Sequence, residues 1–364
     1  MKPVSQRIAC SVMDRLKPPD MKWHYEYGLV LQSIFLLGLK TGDDKFCDYV
    51  KSMYDSVIGS EGEILTYNIN EFNLDQINPG KNLYLLHKKY GDSKYLPAIE
   101  RLRDQLRYHP RTKTGGFWHK KIYPEQMWLD GLYMQAPFYA KYASKKNSKN
   151  DFNDILHQFS LIESKIRDKQ TGLMYHAWDE SRQQKWANPD TGCSPHIWGR
   201  AMGWYCMALV DTMEIIKSDT LEAIARSLIA PLLSYQDFKT GLWYQIMDKG
   251  NEEKNYTESS ASSMFVYFLF KMLGLHIFSQ SYTDDIEAAA VKAYRGLLEY
   301  KLKEDSSGEL HLTDICKVAG LGGNPYRDGS YEYYVNEPVV SDDFKGLGPF
   351  ILASMEYEDN KNEK

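Results

Sequence analysis

"TGGFWH" at residues 114–119, "TGLMYH" at 171–176 and "TGLWYQ" at 240–245 are three versions of one phrase, and they decide the fold. "GEILTY" at 62–67 and "SGELHL" at 307–312 are weaker copies. From Gly115 to Gly172 is 57 residues, from Gly172 to Gly241 is 69, and from Gly241 to Gly308 is 67. Self-similarity on this scale marks an architecture built from repeated supersecondary units. A glycine after a threonine is turn chemistry, and short strands are possible in the TG segments themselves.

Working outward, each copy lies between two helical patterns. Residues 43–58, 93–108, 150–167, 220–236 and 284–302 precede the copies and alternate apolar with charged residues at amphipathic spacing. Residues 74–90, 124–143, 196–216, 257–275 and 342–356 follow them, with less charge and more Gly, Ala and Ser. Adding 4–17 and 26–39 gives six pairs, each an amphipathic helix followed by a largely buried one. That pattern describes an inner ring of helices wrapped by an outer ring, an all-α (α/α)6 barrel. One continuous core needs no domain boundary, and no linker-like stretch interrupts residues 1–364, so a single catalytic domain is expected. A tetratricopeptide solenoid would repeat near 34 residues, about half the spacing found here.

Superposing the repeats also places chemistry. His119 and His176 occupy the same position of the TG segment, with Gln245 in the third copy. "QMWLDGLYM" (126–134) aligns with "HIWGRAMGW" (196–204), matching Trp128 to Trp198 and Asp130 to Arg200. Equivalent positions in a ring face the same end. His119, His176, Asp130, Arg200 and Trp204 should therefore converge at the barrel mouth: an acid, a fixed cation, two imidazoles and stacking surfaces. Taken singly, each has an ordinary structural role; Asp130, for example, could simply meet a helix macrodipole. Convergence is what points to a site. Asp130 is the odd residue, a carboxylate set between Trp128 and Tyr133 in what reads as a helix starting at Pro124.

Composition narrows the function classes. The chain is 43% hydrophobic and 26% charged, with 27 Tyr and 8 Trp. A net charge of -5 argues against nucleic acid or an anionic membrane as partner. The five cysteines are scattered with no CxxC pair, which suggests neither zinc nor redox chemistry. The start lacks the apolar run of a signal peptide, and no apolar span is long enough for a membrane helix. A reduced, cytoplasmic protein is expected. There is no HExxH, GxGxxG, P-loop or GxSxG, and the histidines lack metal-site spacing, so no cofactor or metal is expected. Acid–base chemistry by carboxylate remains.

The whole chain resembles the unsaturated rhamnogalacturonyl hydrolases, glycoside hydrolase family 105. The resemblance rests on "NLDQINPGK" (73–81), "GGFWHK" (115–120), "QMWLDGLYM", "SPHIWGRAMGWY" (194–205), and "YRDGSYEYY" (326–334) leading into "DDFKGLGPFILA" (342–353). It implies an (α/α)6 barrel acting on small oligosaccharides left by pectin lyases, whose non-reducing end is 4,5-unsaturated galacturonic acid. By resemblance, Asp130 is the proton donor and Asp75 the second carboxylate. His119, Lys120, Trp128, His176, Arg200 and Trp204 line the substrate pocket, with Arg200 expected to grip the uronate carboxylate through a bidentate fork. The nearest rival is an unsaturated glucuronyl hydrolase acting on glycosaminoglycan fragments. A sugar 2-epimerase on the same barrel would use histidine pairs, and a non-catalytic sugar-binding protein would have no need of a buried acid.

Overall fold

The structure is a computed structural model and describes residues 2–362. Six helices carry one apolar face each: α1 (Val4–Arg15), α3 (Asp44–Asp55), α5 (Tyr95–Tyr108), α7 (Lys149–Ile166), α9 (Asp219–Ser234) and α11 (Gln280–Gly296). In α9 the buried residues are Leu221, Ile224, Ala225, Leu228, Ile229 and Leu232, the stripe a helix presents when one side faces a core. Six others alternate with them: α2 (Tyr25–Thr41), α4 (Lys81–Tyr90), α6 (Gly131–Lys146), α8 (Gly199–Met213), α10 (Ser259–Leu273) and α13 (Phe344–Asn362). A further short helix, α12 (Tyr331–Val335), precedes the last. Every residue of α8 from Gly199 to Thr212 is buried, as is every residue of α10 from Ser259 to Phe270.

Burial on all sides puts these helices inside. They pack in ring order, α2 on α4, α4 on α6, α6 on α8, α8 on α10, α10 on α13, and α13 back on α2. Each of α3, α5, α7, α9 and α11 packs outside the inner helix beside it, and α1 covers α13. This is the (α/α)6 barrel that the repeats imply.

The TG segments are the turns between outer and inner helices. Gly115, Gly172, Gly241 and Gly308 all have positive φ, between 74° and 94°, which only glycine adopts freely. Asp168 Oδ2 accepts from the Thr171 N–H and hydroxyl, and Tyr175 donates to its other oxygen. Asp237, Thr240 and Tyr244 repeat the arrangement atom for atom. In the fourth copy Asp305 bonds Ser307, with His311 in the tyrosine's place.

Three expectations need correction. The helix read from Pro124 begins at Gly131, because Gln126–Trp128 forms strand β1, which pairs antiparallel with β2 (Ala177–Asp179). Backbone pairing with a segment some 50 residues away overrides the local helical pattern. The helix read over 74–90 starts with two 3-10 turns, Leu74–Gln76 and Asn78–Gly80, and becomes regular only at Lys81. Strands follow the TG phrases more than they occupy them: only "SGELHL" contains one, β4 (Leu310–Leu312), paired with β3 (Leu302–Glu304). The other phrases make single bridges, such as Arg111 with Phe117 and Arg167 with Met174. A third pair, β5 (Ile315–Cys316) with β6 (Val339–Val340), lies near α12 in sequence.

Small residues let the inner ring close. A Cβ on Gly28 would lie 2.7 Å from the Cα of Pro79 and 3.1 Å from its nitrogen, backbone that cannot swing aside. Gly28→Ala should therefore lower stability by about 1–3 kcal/mol, the usual range for overpacking. Denaturant titration checks this, and an unchanged midpoint would show that α2 and the Pro79 turn can separate freely.

Candidate functional site

Three backbone hydrogen bonds set the site. The N–H of Leu74 bonds the carbonyl of His119 (3.1 Å), that of Leu129 bonds His176 (2.9 Å), and that of Gly199 bonds Gln245 (2.9 Å). Each ties the start of one inner helix to the TG segment of the next repeat. The residues that follow, Asp75, Asp130 and Arg200, are thus equivalent positions of the ring. They also sense one another: the Tyr25 hydroxyl lies within the fields of Asp75, Arg200 and Asp130 together. Asp130 and Arg200 are at the same end of the barrel.

The two carboxylates have opposite surroundings. Asp75 is 5% exposed, with Lys120 Nζ 2.6 Å from Oδ2 and His119 Nε2 3.5 Å from Oδ1. Burial pushes its pKa up, but the Lys120 charge prevails and holds it at about 2. Asp130, the N-cap residue of α6, has no such cation in contact, and its Oδ1 is buried with no protein partner. Burial raises its pKa to about 7, the charge of Asp75 adds to the rise, and Lys120 opposes it. Below about pH 7 Asp130 holds its proton while Asp75 stays a carboxylate. Tyr334 also lies within the field of Asp130.

His119 stacks on Trp128 at 4.5 Å and 6°. Its pKa is pushed down to about 3 by burial, so the ring is neutral. His176 is fully buried, held by the Tyr334 hydroxyl at Nδ1 (2.6 Å), and is likewise driven neutral by burial. Trp128 has Tyr123 on its other face at 4.8 Å, so neither face is free for a sugar. Trp204 lies flat on Tyr133 (4.9 Å, 25°), with the Tyr25 edge at 6.0 Å, and forms the floor.

Arg200 departs from the expected fork. Its Nε donates to Ser260 (2.7 Å), and its Nη2 to Glu258 (3.2 Å) and to the Cys316 carbonyl. Only Nη1 is left, buried and without a protein partner, so the guanidinium can offer one nitrogen. Lys120 is likewise committed to Asp75. The histidines carry two more unpartnered buried atoms, His119 Nδ1 and His176 Nε2. Buried polar atoms are nearly always hydrogen-bonded. Unpartnered buried atoms occur elsewhere in the chain too, but four of them, on Asp130, His119, His176 and Arg200, belong to residues that repeat equivalence places at this end of the barrel.

Repeat superposition found Asp130, Arg200, His119, His176 and Trp204, but passed over Asp75, Tyr25, Tyr334 and Arg327. Asp75 was legible: Leu74-Asp75 and Leu129-Asp130 are the same dipeptide before consecutive inner helices. Arg327, which bonds the Tyr123 hydroxyl (2.8 Å) and lies 5.9 Å from the Trp128 ring, sits within the quoted "YRDGSYEYY".

Residues 4–361 match the family model Glycosyl Hydrolase Family 88. The chain belongs to that family. A solved glycoside hydrolase from family 105 of C. acetobutylicum superposes with a TM-score of 0.93 at 45% identity, covering 98% of this chain and all of that one. A protein of Agrobacterium fabrum is 42% identical over 229 residues, 61% of this chain and 97% of its own length. The unsaturated rhamnogalacturonyl hydrolase YesR of Bacillus subtilis is 27% identical over 268 residues, 70% of this chain and 73% of its own. No helix among the described residues of this family 88 chain is long and apolar enough to cross a membrane.

The Asp130 proton has a cost measurable without substrate. The unfolded chain releases it near the ordinary aspartate value of 3.8, whereas the native chain holds it to about 7. The native state therefore binds more protons between these values, and its stability falls as pH rises through them. Asp130→Asn removes that dependence. The variant should exceed the parent by roughly 4 kcal/mol at about pH 8 and lose this advantage below about pH 4. Urea melts across pH check this; a constant difference would mean that Asp130 titrates normally.

Proposed function

We propose that this family 88 glycosidase removes 4,5-unsaturated galacturonic acid from the non-reducing end of small rhamnose-linked oligosaccharides by hydrating the sugar's double bond. The observation that carries the reading is the divided carboxylate pair: Asp75 held by Lys120, and Asp130 with no cation against it and an unpartnered Oδ1, surroundings that favour an ionised Asp75 and a protonated Asp130. An ordinary glycosidase places two carboxyl groups about the anomeric carbon. A vinyl ether asks for a different service, a proton delivered to carbon, and a carboxyl kept protonated near neutral pH supplies it.

In this mechanism Asp130 gives its proton to C4, and the C4–C5 π electrons form the new C–H bond. Positive charge develops at C5 and the ring oxygen, where the Asp75 carboxylate steadies it. Water adds to C5 and returns a proton to Asp130, which restores the acid. The hemiketal then opens: C5 becomes a ketone as its bond to the ring oxygen breaks, and the resulting C1 hemiacetal releases the neighbouring sugar. Arg200 Nη1 and the orphan nitrogens of His119 and His176 bind the uronate carboxylate and hydroxyls, over the Trp204 floor.

The rhamnose-linked substrate is favoured over a glycosaminoglycan fragment by the likeness to YesR. Pectin-lyase and heparin-lyase disaccharides, incubated in parallel and followed by loss of ultraviolet absorbance, decide between them. The pectin-derived sugar should be consumed faster; faster loss of the heparin-derived one would move the chain to the glucuronyl class, and loss of neither would refute the hydration reading. kcat/KM should fall as pH rises through about 7, where Asp130 loses its proton. Asp130→Asn should cost on the order of a hundredfold or more in turnover while binding survives. A variant within about tenfold of the parent would remove Asp130 from the chemistry.

A further inference from the structure

The segment that bears Asp75 and the helix that follows Asp130 are joined at one side chain below the site. After Asp75 the chain makes the Asn78–Gly80 turn and enters α4 at Lys81. Asn78 Nδ2 donates to the Tyr133 carbonyl (3.1 Å), and Lys81 Nζ donates to the Tyr133 hydroxyl (2.5 Å). Tyr133 lies in the first turn of α6, where its own N–H bonds the Asp130 carbonyl (3.0 Å). Its ring carries Trp204 on one face, and Lys81 Nζ stands 3.9 Å from the ring centre.

A carboxylate also faces the hydroxyl. The hydroxyl lies within the field of Asp211 on α8, and Asp211 accepts from the Tyr267 hydroxyl of α10 (2.9 Å). Lys81 and Tyr133 are fully buried, and Asp211 and Tyr267 nearly so. Burial pulls the Lys81 pKa down and pushes that of Asp211 up, with Lys141 of α6 also facing Asp211. Buried opposite charges are a poor source of stability, because desolvation offsets their attraction and apolar residues often do better. What they supply is direction: a relay from ammonium to hydroxyl to carboxylate fixes a ring that an apolar contact would leave free to slide.

We propose that Lys81 and Tyr133 are positioning residues, a buried strut that holds the Asp75 segment against the Asp130 helix at the spacing on which the acid depends. The proposal rests on reading Asp130 as the acid. Asp130 is influenced by Asp75, Lys120, Tyr25 and Tyr334. Of these, Asp75 lies on the segment that the strut grips. If the strut is cut, Asp75 and α6 move independently, water enters beside Asp130, and both causes of its raised pKa weaken.

Tyr133→Phe keeps the Trp204 stack and removes only the hydroxyl. Lys81→Met combined with Asp211→Asn removes both charged groups without leaving one of them buried alone. In each, the Asp130 carboxyl is titrated by carbon NMR of aspartate-labelled protein, assigned with Asp130→Asn, and kinetics are run on the unsaturated disaccharides. The Asp130 pKa should drop by on the order of half a unit or more. kcat should fall roughly tenfold with KM little changed, and the alkaline limb should move to lower pH. An unaltered Asp130 titration in both variants, whether or not their melting temperatures drop, overturns the strut. Should the parent protein leave every unsaturated disaccharide intact, the hydrolase reading fails, while the Asp130 titration still decides the strut.

Discussion

Two carboxyl groups at one end of a helical ring, Asp75 buried and Asp130 half-buried, resist carrying charge together, and the arrangement of the site follows from that. The conflict is settled by placing a cation against one of them. Lys120 reaches Asp75 and keeps it ionised; Asp130 has no cation in contact, and burial outweighs the more distant Lys120 and the nearby backbone N–H groups to favour its protonated form. The surrounding groups fit this division. Both histidines are neutral by burial, so neither competes with Lys120 for Asp75 or takes the Asp130 proton near neutral pH. The buried Arg200 guanidinium is matched by Glu258, so it adds little net positive field.

Equivalence around the ring is what brings these unlike residues together. An inner-helix start tied to the next repeat's turn carries Asp in one unit, Asp in the next and Arg in the third. A symmetric frame thus holds an asymmetric set of side chains, because the frame is fixed by backbone bonds and glycine turns. Side chains at the equivalent positions are then free to specialise without altering the barrel.

The barrel was legible because its signals are local and repeated: Gly172 and Gly241 in the same turn, each preceded by the same Asp and followed by the same Tyr. The helix starts were less so. Gln126–Trp128 reads as helix until its partner Ala177–Asp179 is known, and Pro79 breaks a pattern that otherwise runs on from Leu74. At the site, Asp130 betrayed itself as a carboxylate among aromatics. Asp75 was available from the Leu-Asp dipeptide it shares with Asp130, though only resemblance brought it forward. The occupation of Arg200 was out of reach, since Glu258 and Cys316 lie 58 and 116 residues along the chain. The burial of both Trp128 faces was hidden for the same reason, as the structure had to show His119 and Tyr123 on opposite sides of it.

The account stands on where one proton resides. Neutron diffraction from crystals of exchanged protein held at about pH 6, below the Asp130 pKa of about 7, would locate it directly. A deuteron on the Asp130 carboxyl and none on Asp75, with Lys120 fully deuterated, is the predicted result. A deuteron on Asp75, or bare oxygens on both carboxylates, would contradict it.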